Sequence, residues 1–354
     1  VSEVEQPDGV LVRLPTWVGD VVMATPALRA LRCGLPDAHI IVEGRGFLSG
    51  LLAGLDSFDE FVTAPGRGLG ELWRHGRQLA QRRLALALLL PDAARAAVPT
   101  WIARVPRRVG YSRDPARRLL LTDALSPPRN PDGSRRPIPM VERYLAITRR
   151  VDCDLADPRV ELAVDEATRH SVRGRLATQQ HESGKNYAVV TPGASFGASK
   201  LYPPESFARA CDGLIVECDL SIVFAPGPGE EQLCRHVVEL MHHDALVLAD
   251  PVTTLAEHKA LLADAALAVS NDTGPRHMAV ALGVPTVTLM GPTDPRHTEY
   301  QLDRQRVLRE DVECSPCHEK ICPIDHRCMT RLAPERIVAA AADLLGRRKE
   351  APAA

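Results

Sequence analysis

The sequence predicts an α/β protein made of two Rossmann-like halves, and three observations carry that expectation. Short apolar runs rich in leucine or β-branched residues alternate with longer amphipathic stretches, the pattern of βαβ units that feed a parallel sheet. The alternation stops at a polar segment, 181–186, and starts again at 187. The 354 residues also suit two domains of about 150 residues better than one. We therefore expect an N-terminal domain over 1–165, a helix and linker over 166–186, and a C-terminal domain over 187–348.

In the first half, apolar runs predict strands over 10–14, 39–42, 58–63 and 84–90, with a return strand near 108–111. Helical periodicity falls between them, over 21–33, 69–81 and 93–103. A proline- and arginine-rich stretch, 126–139, predicts a mobile loop before a helix over 140–151, and another helix follows over 166–180. In the second half the strands are 187–191, 221–225, 245–248, 266–270 and 286–290. Their helices are 205–217, 230–243, 255–264 and 275–282, and a last one covers 334–345. Such a pair of sheets is expected to bind ligand in a cleft outside the carboxyl ends of the strands, so chemistry should lie at strand-to-helix turns.

Composition excludes several classes. Lys plus Arg number 43 against 45 Asp plus Glu, a net charge of −2, so no general attraction to nucleic acid is expected. With 45% apolar and 25% charged residues, disorder and collagen-like folds are out. The apolar runs 84–90 and 245–249 fall far short of the roughly 20 residues of a membrane-spanning helix. Residues 1–9 hold three acids and no basic leader region, and a cytoplasmic protein is expected. Of nine cysteines, Cys33, Cys153, Cys211, Cys218 and Cys234 are scattered, as buried reduced thiols are, whereas Cys314, Cys317, Cys322 and Cys328 form a cluster.

Familiar nucleotide motifs fail on spacing. Residues 193–200 (GASFGASK) lack the P-loop arrangement, and Gly66, Gly68 and Gly70 read G-x-G-x-G rather than a dinucleotide fingerprint, which Asp92 cannot repair. No G-x-S-x-G elbow is present. Three turns remain. Asp20 follows the first strand at the mouth of a helix, where it is either a helix N-cap or a base for an acceptor hydroxyl. Residues 270–277 (SNDTGPRH) place Pro275 at a helix start, so that amides near Gly274 face an anion; the alternative is a helix capped by Asp272 or Thr273. Lys200 ends a small-residue loop and is either solvated or placed to neutralise a diphosphate leaving group.

Together, 19–28 (GDVVMATPAL), 192–200 (PGASFGASK), 270–277 and 291–295 (GPTDP) resemble the ADP-heptose:lipopolysaccharide heptosyltransferases, glycosyltransferase family 9, and the lysine loop is most similar to the heptosyltransferase II branch. The resemblance runs in order over about 10–345. It implies a GT-B fold and an inverting, metal-independent transfer of L-glycero-D-manno-heptose from ADP-heptose to the lipopolysaccharide inner core. It also implies that Asp20 is the catalytic base and that Lys200 contacts the donor phosphates. By the same resemblance, Asp272, Thr273, Gly274 and His277 form the donor-binding turn, Gly193 and Ser195 lie on the donor loop, and Gly227 and Thr253 lie near the nucleotide.

The implied partners are ADP-heptose and a lipid A-core acceptor, with peripheral contact at the inner face of the cytoplasmic membrane and no nucleic acid. Arginine-rich segments 104–118 and 129–136 are either solvated faces or contacts for anionic head groups. Other readings are a family 9 enzyme with another nucleotide sugar or a protein or glycan acceptor, and a nucleotide-sugar binding protein without catalysis. The C-x2-C-x4-C-x5-C spacing of Cys314, Cys317, Cys322 and Cys328 suits four thiolates around one structural zinc or iron ion, against the alternative of reduced thiols or a disulfide pair. No cofactor is expected in the catalytic step.

Overall fold

In the computed structural model, which describes residues 9–179 and 185–346, the chain forms two units. One runs to Glu161 and takes in Arg296–Tyr300; the other holds Leu162–Pro295 and continues from Gln301.

The first unit is a six-stranded parallel sheet of β1 (Gly9–Arg13), β2 (His39–Gly44), β3 (Glu60–Thr63), β4 (Leu86–Leu89), β5 (Arg107–Tyr111) and β6 (Asp123–Leu125), in the order β3-β2-β1-β4-β5-β6. The second is a six-stranded parallel sheet of β7 (Tyr187–Thr191), β8 (Ser221–Phe224), β9 (Leu246–Val247), β10 (Leu267–Asn271), β11 (Thr286–Leu289) and β12 (Gln305–Leu308), in the order β12-β11-β10-β7-β8-β9. Counted within each unit the order is the same. Each sheet reverses direction of winding between its first and fourth strands, at β1/β4 and at β7/β10, and such a reversal opens a crevice at the carboxyl edge.

The central strands read as unbroken apolar runs because helices cover both their faces: β4 and β7 are buried at every position. Each fully buried Val, Leu or Ile contributes about 1.5–3 kcal/mol. In the second unit Tyr202 and Phe207 pack edge to face, 5.1 Å apart, and the Tyr202 hydroxyl donates to the Leu332 carbonyl at 2.6 Å. That residue, next but one to Lys200, is core.

Several expected elements differ. The helix expected over 21–33 is two, Val18–Met23 and Thr25–Gly34, because Pro26 has no amide to donate and the Thr25 hydroxyl bonds the Val22 carbonyl at 2.9 Å. The helix expected over 93–103 is a 3-10 turn, Ala94–Ala96, followed by Val98–Ile102, with Pro99 in its first turn. The helix expected over 166–180 is present as Glu166–Thr178. Arg169 and Arg173 both pair with Asp264, which fastens it to the second unit. Residues 1–8 and 181–184, which carry the expected leader-free start and most of the expected linker, lie outside the described residues. The loop 126–139 has structure of its own, a turn closed by pairing of Arg129 with Arg135. Cys33 is exposed, unlike the buried Cys153, Cys211, Cys218 and Cys234.

Candidate functional site

At the reversal point of the first unit, β1 leads into the helix Val18–Met23. Its N-cap is Trp17, with no side-chain cap, and Asp20 stands half-buried in the first turn. Asp20 is therefore not the N-cap, although the helix dipole favours an ionised carboxylate there. Tyr144, on the helix Met140–Arg149, is buried beside it: burial pushes the phenol well above its usual value, and the negative charge of Asp20 adds to the push.

Beyond β4, Asp92 is gripped by Arg143 at 2.7 and 2.8 Å and by Arg113 at 2.5 Å, while the Arg143 guanidinium lies 3.9 Å from the Tyr111 ring centre. Arg117 is fully buried and donates to the carbonyls of Tyr111, Ala93, Pro91 and Leu89. These bonds hold the loop after β4. Within the arginine-rich segment 104–118, Arg107 pairs with Asp123 and Arg108 donates to the Leu120 carbonyl. Arg107, Arg108, Arg113 and Arg117 are committed inside the unit.

At the reversal point of the second unit, the loop after β7 meets the turn after β10. The Lys200 ammonium donates to the Asp272 carbonyl at 2.6 Å and to its carboxylate at 2.8 Å. Arg276, 1% exposed, donates to the other carboxylate oxygen at 2.7 Å and to Gln305 at 3.1 Å, and the Thr293 hydroxyl donates to Asp272 at 2.7 Å. Burial alone would raise the Asp272 carboxyl, but Lys200 and Arg276 hold it far below the carboxylate range. Two cations thus share one carboxylate.

Thr273 is the N-cap of the helix Gly274–Ala281, but its hydroxyl turns back 3.4 Å to the Asn271 carbonyl and makes no cap bond. Thr273 makes no side-chain cap bond, and the positive end of the helix dipole at this start favours an anion. His277 is buried in this helix.

Gly193 is dictated by a neighbour: a Cβ there would fall 1.9 Å from the Glu230 carboxyl carbon. Glu230 accepts the Gly227 amide at 3.0 Å, and burial raises its carboxyl against that bond. Gly193 and Gly227 thus converge on Glu230. Ser195 is exposed on the loop, and Thr253 places its hydroxyl 3.5 Å from Nδ1 of the buried His258.

Burial holds His258 down to about 4 and His277 to about 3, with Arg276 adding to the second. The unfolded chain, with histidines near 6.5, takes up these protons first. Stability from both groups is accordingly complete above about pH 6.5 and is lost as pH falls toward about 4. Urea midpoints should fall between about pH 7 and about pH 5; equal midpoints would contradict the two buried neutral histidines.

The cysteine segment backs the lysine loop. The Ser199 amide donates to the Lys320 carbonyl at 3.0 Å, its hydroxyl to the Glu319 carbonyl, and His326 Nε2 lies 2.7 Å from the Ser199 carbonyl. Cys328 is buried and Cys317 exposed; burial pushes the Cys328 thiol up to about 11, with Cys314, Cys322 and Cys317 as neighbouring charges. The His326 amide donates to Cys322 Sγ at 3.3 Å. Among the described residues no three or more His, Cys, Asp or Glu side chains stand close enough to hold a metal ion as arranged.

The expected donor residues Lys200, Asp272, Thr273, Gly274 and His277 are therefore gathered at one edge of the second unit, while Asp20 belongs to the first. Glu230, Arg276 and Thr293 were not singled out from the sequence. Arg276 and Thr293 lie inside 270–277 and 291–295, and Glu230 closes the turn after β8 as the N-cap of the helix Glu231–Leu240, a strand-to-helix position that signals such a residue.

A family model described as glycosyltransferase family 9 (heptosyltransferase) matches residues 72–327. The lipopolysaccharide heptosyltransferase 2 of Escherichia coli K12 is 30% identical over 315 residues, 85% of this chain and 87% of its own length. Among solved structures, the ADP-heptose lipopolysaccharide heptosyltransferase II of E. coli matches with a TM-score of 0.79 at 25% identity, covering 96% of this chain and 99% of that one. A family 9 glycosyltransferase from Veillonella parvula DSM 2008 matches with a TM-score of 0.81 at 21% identity, covering 96% and 98%.

Proposed function

Because the chain belongs to glycosyltransferase family 9, the heptosyltransferase family, and has the GT-B fold of its solved members, we propose that it transfers L-glycero-D-manno-heptose from ADP-heptose to the inner core of lipopolysaccharide. The observation that carries the chemistry is the Lys200, Asp272 and Arg276 cluster at the β7/β10 reversal, beside the start of the helix Gly274–Ala281. The substrates follow from the names of the relatives.

In this reading Asp20 takes the proton of the acceptor hydroxyl as its oxygen bonds to the anomeric carbon. The bond from that carbon to the β-phosphate oxygen breaks, its electron pair leaves with ADP, and the configuration inverts. Lys200 and the amides of the helix Gly274–Ala281 stabilise the charge that grows on the diphosphate. Glu230, raised by burial but still an acceptor, suits a hydroxyl of the nucleotide ribose. No helix among the described residues is long and apolar enough to cross a membrane, so with a lipid acceptor the protein works as a peripheral enzyme at the cytoplasmic face. Purified protein given ADP-heptose and truncated core acceptor should release ADP. Donor binding without ADP release would favour a non-catalytic binding protein.

A structural zinc or iron ion on Cys314, Cys317, Cys322 and Cys328 belongs to the same reading. The four soft donors suit either metal, and the His326 amide on Cys322 is the kind of bond that steadies a metal thiolate. An ion there would draw the sulfurs closer than they stand and would take no part in the reaction. Protein prepared without added metal should carry about one zinc or iron per chain. Clearly less would remove the ion from the reading.

A further inference from the structure

The helix Leu69–Leu79 buries Leu72, His75, Gly76 and Leu79, and the stripe of Leu69, Trp73, Arg77 and then Ala80 that flanks this face is exposed. That stripe should be polar on a solvated helix. Instead Leu69 is 83% exposed and Trp73 57%. Gly76 lets the helix Val98–Ile102 come close, since a Cβ there would lie 2.7 Å from the Ile102 Cβ and 2.9 Å from the Pro99 carbonyl. This approach brings Trp101, 51% exposed, onto the same groove as Trp73, a concavity of about 820 Å³ whose lining includes Arg77 and Arg104 and no carboxylate.

The charge around the groove is one-sided. Among the described residues Arg74, Arg77 and Arg104 have no acidic partner, and Arg77 lies 5.4 Å from the Trp73 ring centre. Nearby Arg82 and Arg107, by contrast, pair with Glu60 and Asp123. The one acid of the helix, Glu71, folds back onto the Gly68 amide at 3.2 Å. Two indoles with unpaired guanidinium groups fit one environment in particular, the head-group layer of a bilayer, where indole sits between water and acyl chains and arginine meets phosphate. The groove is also away from the chemistry. Its floor includes Ala80, Gln81 and Arg104, near the amino ends of β4 and β5, whereas Asp20 follows the carboxyl end of β1.

We propose that this groove between the helices Leu69–Leu79 and Val98–Ile102 docks the protein on an anionic lipid bilayer. The purpose of such docking rests on the lipid acceptor proposed above, but the binding itself can be measured without acceptor. The full chain should float with vesicles of phosphatidylethanolamine containing about 30% phosphatidylglycerol, not with phosphatidylcholine vesicles, and about 0.5 M salt should release it. The variants Trp73→Ser/Trp101→Ser and Arg77→Glu/Arg104→Glu should each weaken flotation by at least about tenfold. Both should keep wild-type ADP release with a deacylated, soluble core acceptor, which also reports that they fold. Wild-type protein that does not float, or variants that float as well as it does, would overturn the proposal. So would a dimer in sedimentation velocity that these substitutions dissociate, because the occupant would then be a second copy of the chain. Failure of the transferase reading would appear separately, as absent ADP release with vesicle binding intact.

Discussion

Replacing Asp272 with alanine should cost the second unit about 3–5 kcal/mol, because it leaves a buried guanidinium and a half-buried ammonium without their shared anion. Arg276 is almost wholly enclosed, and Lys200 loses both its charge partner and a fixed position. The double variant Asp272→Ala/Arg276→Met should recover much of the loss, since the uncompensated charge goes with the arginine. The chain itself offers two reporters. Its three tryptophans, Trp17, Trp73 and Trp101, all belong to the first unit, whereas helical circular dichroism reports on both. Urea unfolding of Asp272→Ala should therefore show an early circular dichroism transition while tryptophan fluorescence holds near its wild-type midpoint. A loss below about 1 kcal/mol would mean that the cluster is better solvated than it stands.

Asp20→Ala should lower kcat for ADP release by about 10²- to 10⁴-fold with the donor dissociation constant unchanged. A deficit of that kind separates a proton acceptor from a binding residue, because the proposed donor contacts at Lys200 and the helix Gly274–Ala281 lie in the other unit. Stability should change by well under the catalytic loss, as Asp20 is not the helix cap. Normal turnover in Asp20→Ala would remove it from the mechanism, and weakened donor binding with normal kcat would reassign it.

How much of this was readable beforehand depended on whether a feature is local. The central strands were legible because a parallel strand covered on both faces is apolar throughout, as at Leu86–Leu89 and Tyr187–Thr191. The edge strands β6 and β12 were not, because Asp123, Gln305 and Arg306 interrupt any apolar run and pairing on one side only tolerates them. Lys200 and the 270–277 turn announced themselves as motifs, but the grip of Thr293 and Gln305 on that turn joins residues 21 and more apart and has no local signature. Asp20 was placed correctly at a helix mouth, while its register within the helix was decided by Trp17 and the early start of the turn. The Trp73 and Trp101 groove was invisible for a similar reason: only the packing of Gly76 on Ile102 brings the two indoles together.

The backing of the lysine loop by residues 319–326 also sets an order of assembly. Strands β7 to β11 can pair as soon as they leave the ribosome, but the Ser199 carbonyl meets His326 across 127 residues of chain. A ribosome-bound chain that has just finished β12 would already own every strand of its second sheet and still lack the support under Lys200. The Lys200 loop is thus among the last parts of that unit to take its final shape, and a chain truncated after β12 would lack both the support under Lys200 and the core residues Met329, Leu332 and Ile337.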